Sequence, residues 1–171
     1  MCPNLVKLRC LSTSVSNKLE SVAELLFYVV VYLMFSVAVH EYFHYNVLRM
    51  LGGEGYATFT WFGGAVVITK APPQPWGMLL VALTGGVGTG IFLIAAAYWD
   101  YVSRDFEEML AELIIGFAQL SYGIFEGFFW WLPRPDYYTY AQVVSSVGAL
   151  IGVVIGAYLW NKQNNAEEKA G

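Results

Sequence analysis

The sequence predicts an all-α membrane protein: four transmembrane helices, with a small membrane-associated β-hairpin between the first and the second. Three observations carry that expectation. The chain is 57% hydrophobic and only 13% charged, where a soluble domain carries about a quarter charged residues. Its apolar residues fall into four runs, each long enough to cross a hydrocarbon core of about 30 Å. Aromatic residues, 17% of the chain, gather at the ends of those runs, as interfacial belts do. A length of 171 residues suits one domain. A net charge of −4 without any basic run offers no surface for nucleic acid. Cys2 and Cys10 form no C-x-x-C and have no third partner, which argues against both a zinc knuckle and a disulfide framework.

Residues 1–20 hold Lys7, Arg9 and Lys18 among Ser, Thr and Asn, and read as a polar tail or interfacial segment. They lack the compact apolar region and small-residue cleavage site of a signal peptide. The membrane domain is expected over 21–160. Its first span runs from about Glu24 to Leu51, where Gly52-Gly53 stops the helix. From Glu54 to Lys70 the character changes. Tyr56, Thr58 and Thr60 alternate with Ala57, Phe59 and Trp61, and Gly63-Gly64 precedes Ala-Val-Val-Ile-Thr. β-Branched and aromatic residues around a glycine pair predict a hairpin.

Ala71-Pro72-Pro73-Gln74-Pro75 forbids helix until about Trp76, the start of a second span that reaches Tyr101. Within it, Thr84–Gly90 fits neither G-x-G-x-x-G nor a Walker pattern, so its small residues serve close helix packing. Ser103–Glu108 is a polar connection. The third span, to about Trp131, carries Gln119 and Glu126 seven residues apart and so on one face. Leu132-Pro133-Arg134-Pro135-Asp136 breaks it, and the fourth span runs from Tyr137 to Trp160. Residues 161–171 are expected as a mobile polar tail.

The chemistry concentrates in His40-Glu41-Tyr42-Phe43-His44, an H-E-x-x-H inside the first span. Residues four apart share a helix face, so His40 and His44 can offer their imidazoles to one metal ion. Glu41, beside them, can take a proton from a water on that metal. These are the only histidines in the chain. Random placement would set two histidines four apart roughly 1% of the time, and the added Glu makes this signature rarer still. The plainer reading is a pair of histidines satisfied by hydrogen bonds between helices. Against it, an ionisable cluster inside a membrane span is costly and by default functional.

A catalytic zinc takes three protein ligands and keeps one position open. The carboxylates available on the correct side are Asp136, Glu126 and Glu54. Four spans deliver Asp136 to the face nearer the histidines, after a rigid Pro-x-Pro turn, and this favours it as the third ligand. Its plainer role is a cap for the fourth span. Glu126 is the alternative, a distal glutamate inside span three.

These residues resemble the site-2 proteases, the intramembrane zinc metalloproteases. Members of that family place H-E-x-x-H on one span, then a membrane-associated hairpin, a Gly-rich span, and a zinc-ligand Asp after a Leu-Pro-x-Pro-like break. Here the matching pieces are His40–His44, Glu54–Thr69, Thr84–Gly90 and Leu132–Asp136, across roughly residues 24 to 150. The chain departs from the pattern where Tyr137 stands in place of the usual Gly. It also lacks the Asn that commonly sits in the Gly-rich span and the one that often precedes the Leu-Pro.

The resemblance implies peptide-bond hydrolysis within or near transmembrane segments. It implies one Zn2+ ion on His40, His44 and Asp136, with Glu41 as general base and Glu126 and Gln119 as candidates for substrate handling. The implied partners are a transmembrane protein or peptide and the lipid bilayer, for a multi-pass protein of the cell membrane. A different class of reading is a non-catalytic zinc-binding scaffold that holds transmembrane helices. The intact Glu41 argues against that class, because a scaffold needs only the ligands. Six basic residues on the terminal side against three on the hairpin side favour termini in the cytoplasm, whereas the resemblance favours a cytosolic active-site end.

Overall fold

Each apolar run is a helix, and the alternating segment between the first two is a hairpin. The computed structural model describes the backbone over residues 3–60 and 63–170, and side chains over 19–60, 63–133 and 136–166. The elements are α1 (Pro3–Met50), β1 (Glu54–Thr60), β2 (Gly63–Lys70), α2 (Gly77–Ser103), α3 (Phe106–Phe129) and α4 (Arg134–Ala170). Within these helices, Leu19–Met50, Gly77–Ser103, Phe106–Phe129 and Asp136–Ala166 are long and apolar enough to cross a membrane. Their outward faces are apolar too: Leu26, Phe27 and Met34 on α1, Ile91 and Phe92 on α2, and Leu150 and Val154 on α4 are all exposed. Apolar exposure on that scale is foreign to a soluble monomer and suits a lipid-facing surface.

The bundle is built around α3, which packs against α1, α2 and α4. Lipid supplies no hydrophobic drive between helices, so close approach depends on small residues. Gly86 of α2 lies so near Gly123 of α3 that a Cβ on either would strike the other's backbone. Gly90, about one turn further along α2, meets Gly116 and Leu120 of α3 in the same way. Away from the hairpin, Ala97, Met109 and Leu113 form a core that Phe106, Phe117, Ile155 and Leu159 cover. The α2–α3 turn is tight. Arg104 closes α2 in the left-handed conformation (φ 66°), and Asp105 caps α3 by accepting from the Glu108 amide.

β1 and β2 pair antiparallel from Glu54↔Lys70 to Thr60↔Gly63. Gly63 and Gly64, the glycine pair of the predicted hairpin, belong to β2, opposite Thr60 and Phe59. Trp61 and Phe62 between the strands lie outside the described residues. Glu54, one of the three candidate carboxylates, is engaged at the open end of the hairpin, 3.0 Å from Lys70 Nζ.

The expected polar tail at 1–20 falls outside the described side chains, apart from Leu19 and Glu20. At the other end, α4 continues as helix beyond Trp160, through Asn161 to Ala170. No glycine or proline interrupts residues 157–170, and Gln163 Nε2 donates to the Tyr101 carbonyl at 2.7 Å. α4 also starts early, at Arg134. Pro135 is accommodated because first-turn amides have no helical acceptor to lose.

Candidate metal centre

On α1, Ser36, His40 and His44, four apart, share one stripe. On α3, Gln119, Tyr122 and Glu126 share another, at i, i+3 and i+7. The two stripes face each other where α1 crosses α3. His40, Glu41 and His44 are each only 6% exposed, on a helix whose other faces are largely open.

The Nε2 atoms of His40 and His44 stand 2.8 Å apart, and Glu126 Oε2 lies 3.3 Å from each. The far side of each ring fixes its tautomer. His44 Nδ1 is 2.5 Å from the Val81 carbonyl, which can only accept, so Nδ1 carries the proton. His40 Nδ1 is 2.9 Å from Gln119 Oε1. The Gln119 amide nitrogen donates to Ser36 Oγ at 3.1 Å, and Ser36 donates its own proton to the Leu33 carbonyl at 2.8 Å. That relay orients the amide and sets its oxygen toward His40, so this Nδ1 is protonated as well.

Both Nε2 atoms therefore turn lone pairs toward each other and toward Glu126 Oε2, which is buried without a hydrogen-bond partner. One proton can bridge only one of these three pairs, and two would press N–H groups together at 2.8 Å. A single cation answers all three. Zinc–nitrogen and zinc–oxygen bonds of about 2.0–2.2 Å place tetrahedral ligand atoms about 3.3–3.6 Å apart; Glu126 Oε2 already stands at 3.3 Å from each nitrogen, and the two nitrogens, at 2.8 Å, need only part slightly to admit the ion. Histidines whose second nitrogens bond a carbonyl and an amide oxygen have the outer support that zinc ligands usually have. The residues fit the ion. Gln119→Leu, which strips His40 of its support, is expected to weaken zinc binding by about 10- to 100-fold, read by competition with a chromogenic chelator.

Glu41 is not among the converging ligand atoms. Its carbon arm packs onto Gly64, where a Cβ would collide with it; its carboxylate meets the Val66 backbone, and its Oε2 has no partner. Glycine inside a strand often marks such an approach. Gly85 of α2 does the same for the ligands, since a Cβ there would run into the Nε2 atoms of both histidines. A cavity of about 360 Å3 is lined by His40, Glu41, His44, Glu126 and the β2 residues Gly64–Val66. A second, of about 520 Å3, adjoins it and shares His40, Glu41, Gly64 and Tyr122.

Asp136 is not part of this centre. It is exposed, in the first turn of α4, where a negative charge complements the helix dipole, and it is absent from the group of converging ligand atoms. Glu126 stands where the sequence reading placed Asp136. The reason is height. His40 lies ten residues before Met50, about 15 Å of helix inside the end of α1. α3 passes α1 at that level and presents Glu126 directly, whereas Asp136 comes only after α3 has ended at Phe129.

Gln119 takes a supporting role that the shared face with Glu126 made visible, without revealing its partner. The roles of Gly64, Gly85 and the Val81 carbonyl carried no signal in the sequence. A second group of carboxylates, Asp100, Glu108 and Glu112, converges at the other end of the bundle. There Tyr32 donates to Glu108, and Ser21 donates to Glu107 at 2.5 Å, tying α1 to α3.

Fold and site together define a class: a four-helix protein of membrane-spanning proportions, with a hairpin and a buried centre of two histidines and one carboxylate. No family model, curated protein or solved structure matches the chain.

Proposed function

We propose that this protein is an intramembrane zinc metallopeptidase in which His40, His44 and Glu126 hold the ion and Glu41 is the general base. The observation that carries the reading is the convergence of three unprotonated ligand atoms beside a buried carboxylate with an unpartnered oxygen. Three protein ligands is the number that catalytic zinc sites use. The charges balance, since Glu126 and Glu41 together offset a divalent cation in a low-dielectric setting. Zinc bound here would supply Lewis-acid polarisation of a carbonyl and lower the pKa of a ligated water to about 7. Glu41 takes the proton from the attacking water and returns it to the departing amine nitrogen.

The substrate is a membrane-spanning segment. Its scissile carbonyl is tied into helical hydrogen bonds that lipid cannot replace, so cleavage needs local unwinding and favours helix-weakening residues near the cut. The edge of β2 at Gly64–Val66 borders the cavity, and an exposed strand edge can accept an unwound segment by strand addition.

The test uses the full chain purified in bilayers, with zinc measured and cleavage of a single-span substrate followed. One equivalent of zinc, activity abolished by a chelator and its return on adding zinc are expected. A chain that retains no zinc would sink the reading. Zinc retained without cleavage across a panel of spans would turn it into the non-catalytic scaffold.

A further inference from the structure

We propose that Tyr122 is a catalytic hydrogen-bond donor to the carbonyl oxygen of the scissile peptide, with Tyr137 as its positioning residue; this rests on the metallopeptidase reading. Tyr122 sits between Gln119 and Glu126 on the stripe of α3 that faces the histidines. Its ring lies against His40, with centroids 5.4 Å apart. The Tyr137 hydroxyl, from the first turn of α4, donates to the Tyr122 hydroxyl at 3.0 Å. Two hydroxyls bring two protons, and this bond uses one. Among the described residues no acceptor takes the other from Tyr122. Tyr122 lines both cavities that adjoin at Glu41, and the scissile bond must lie there for Glu41 to reach the water.

Attack on a peptide carbonyl builds negative charge on its oxygen, and that charge needs donors placed in advance. The rest of the centre has few to give. Glu41 and Glu126 are acceptors as carboxylates. Both imidazole protons are committed, to Gln119 and to the Val81 carbonyl. The Tyr122 hydroxyl is a neutral donor at the right place, and it keeps its proton throughout. Its bond strengthens as charge develops, so its contribution appears in turnover more than in substrate binding.

The experiment compares wild type, Tyr122→Phe and Tyr137→Phe in bilayers, with zinc content, kcat, KM and the affinity of a phosphinate peptide measured on each. Tyr122→Phe keeps the ring against His40 and loses only the hydroxyl. A fall in kcat of about 100-fold is expected, with KM within about twofold, zinc retained, and phosphinate affinity falling in step with kcat/KM. Tyr137→Phe, which removes only the orienting partner, is expected to lose less, about tenfold. Wild-type kcat in a zinc-loaded Tyr122→Phe would overturn the proposal while leaving the metallopeptidase reading intact. A zinc-loaded wild type that cleaves nothing would overturn that reading first. If Tyr122→Phe fails to fold or to hold zinc, Tyr137→Phe decides: unchanged kcat and phosphinate affinity there overturn the proposal, and a parallel loss of both supports it.

Discussion

Replacing Glu126 with alanine should empty the metal centre, while replacing Asp136 should leave it filled. Glu126 Oε2 is 3.3 Å from both Nε2 atoms and has no other partner. On the proposed reading, its loss removes a ligand and also the charge that would offset the cation in a low-dielectric setting. Removing an outer hydrogen bond from a zinc ligand typically costs 10- to 100-fold in affinity, so loss of a ligand itself should exceed about 100-fold. Asp136 is exposed at the start of α4, and its removal forfeits only a favourable interaction with the helix dipole, about 0.3–1 kcal/mol. Zinc content after dialysis against a weak chelator separates the two. Full zinc in Glu126→Ala together with loss in Asp136→Ala would restore Asp136 as the third ligand and require α4 to sit differently against α1.

The second large effect is expected from Glu41→Gln. The substitution keeps the shape of the side chain, and so keeps its packing onto Gly64. An amide cannot take up a proton as the carboxylate does, and positioned general-base catalysis contributes about 10²- to 10⁴-fold. Zinc should remain at one equivalent, since Glu41 is not among the converging ligand atoms, while cleavage falls by about that factor or more. A Glu41→Gln variant that cleaves a spanning substrate at the wild-type rate would remove Glu41 from the mechanism. Loss of zinc from the same variant would instead make Glu41 a ligand.

The sequence by itself determined the parts of this protein that depend on neighbours along the chain. Apolar runs of sufficient length specify helices long enough to cross a bilayer, and Pro72, Pro73 and Pro75 keep α2 from starting before the hairpin is complete. The alternation from Glu54 onward specifies strands because the side-chain period of a strand is two. The four-residue spacing of His40 and His44 puts both rings on one face wherever the helix goes, and the seven-residue spacing of Gln119 and Glu126 does the same on α3.

Which carboxylate meets those rings is a different kind of question, and only the tertiary structure decided it. Reasoning from where each span ends favoured Asp136, since that treats helices as rods cut to one level. The bundle instead sets heights through contacts between residues far apart in sequence. Gly86 against Gly123 and Gly90 against Gly116 fix how far α3 slides along α2, and that slide brings Glu126 level with His40 and His44. The same holds for Gly64 and Gly85, whose missing side chains make room for Glu41 and for the two imidazoles. A glycine's neighbour across a helix crossing leaves no trace in its local sequence, because the property that matters there is an absent atom.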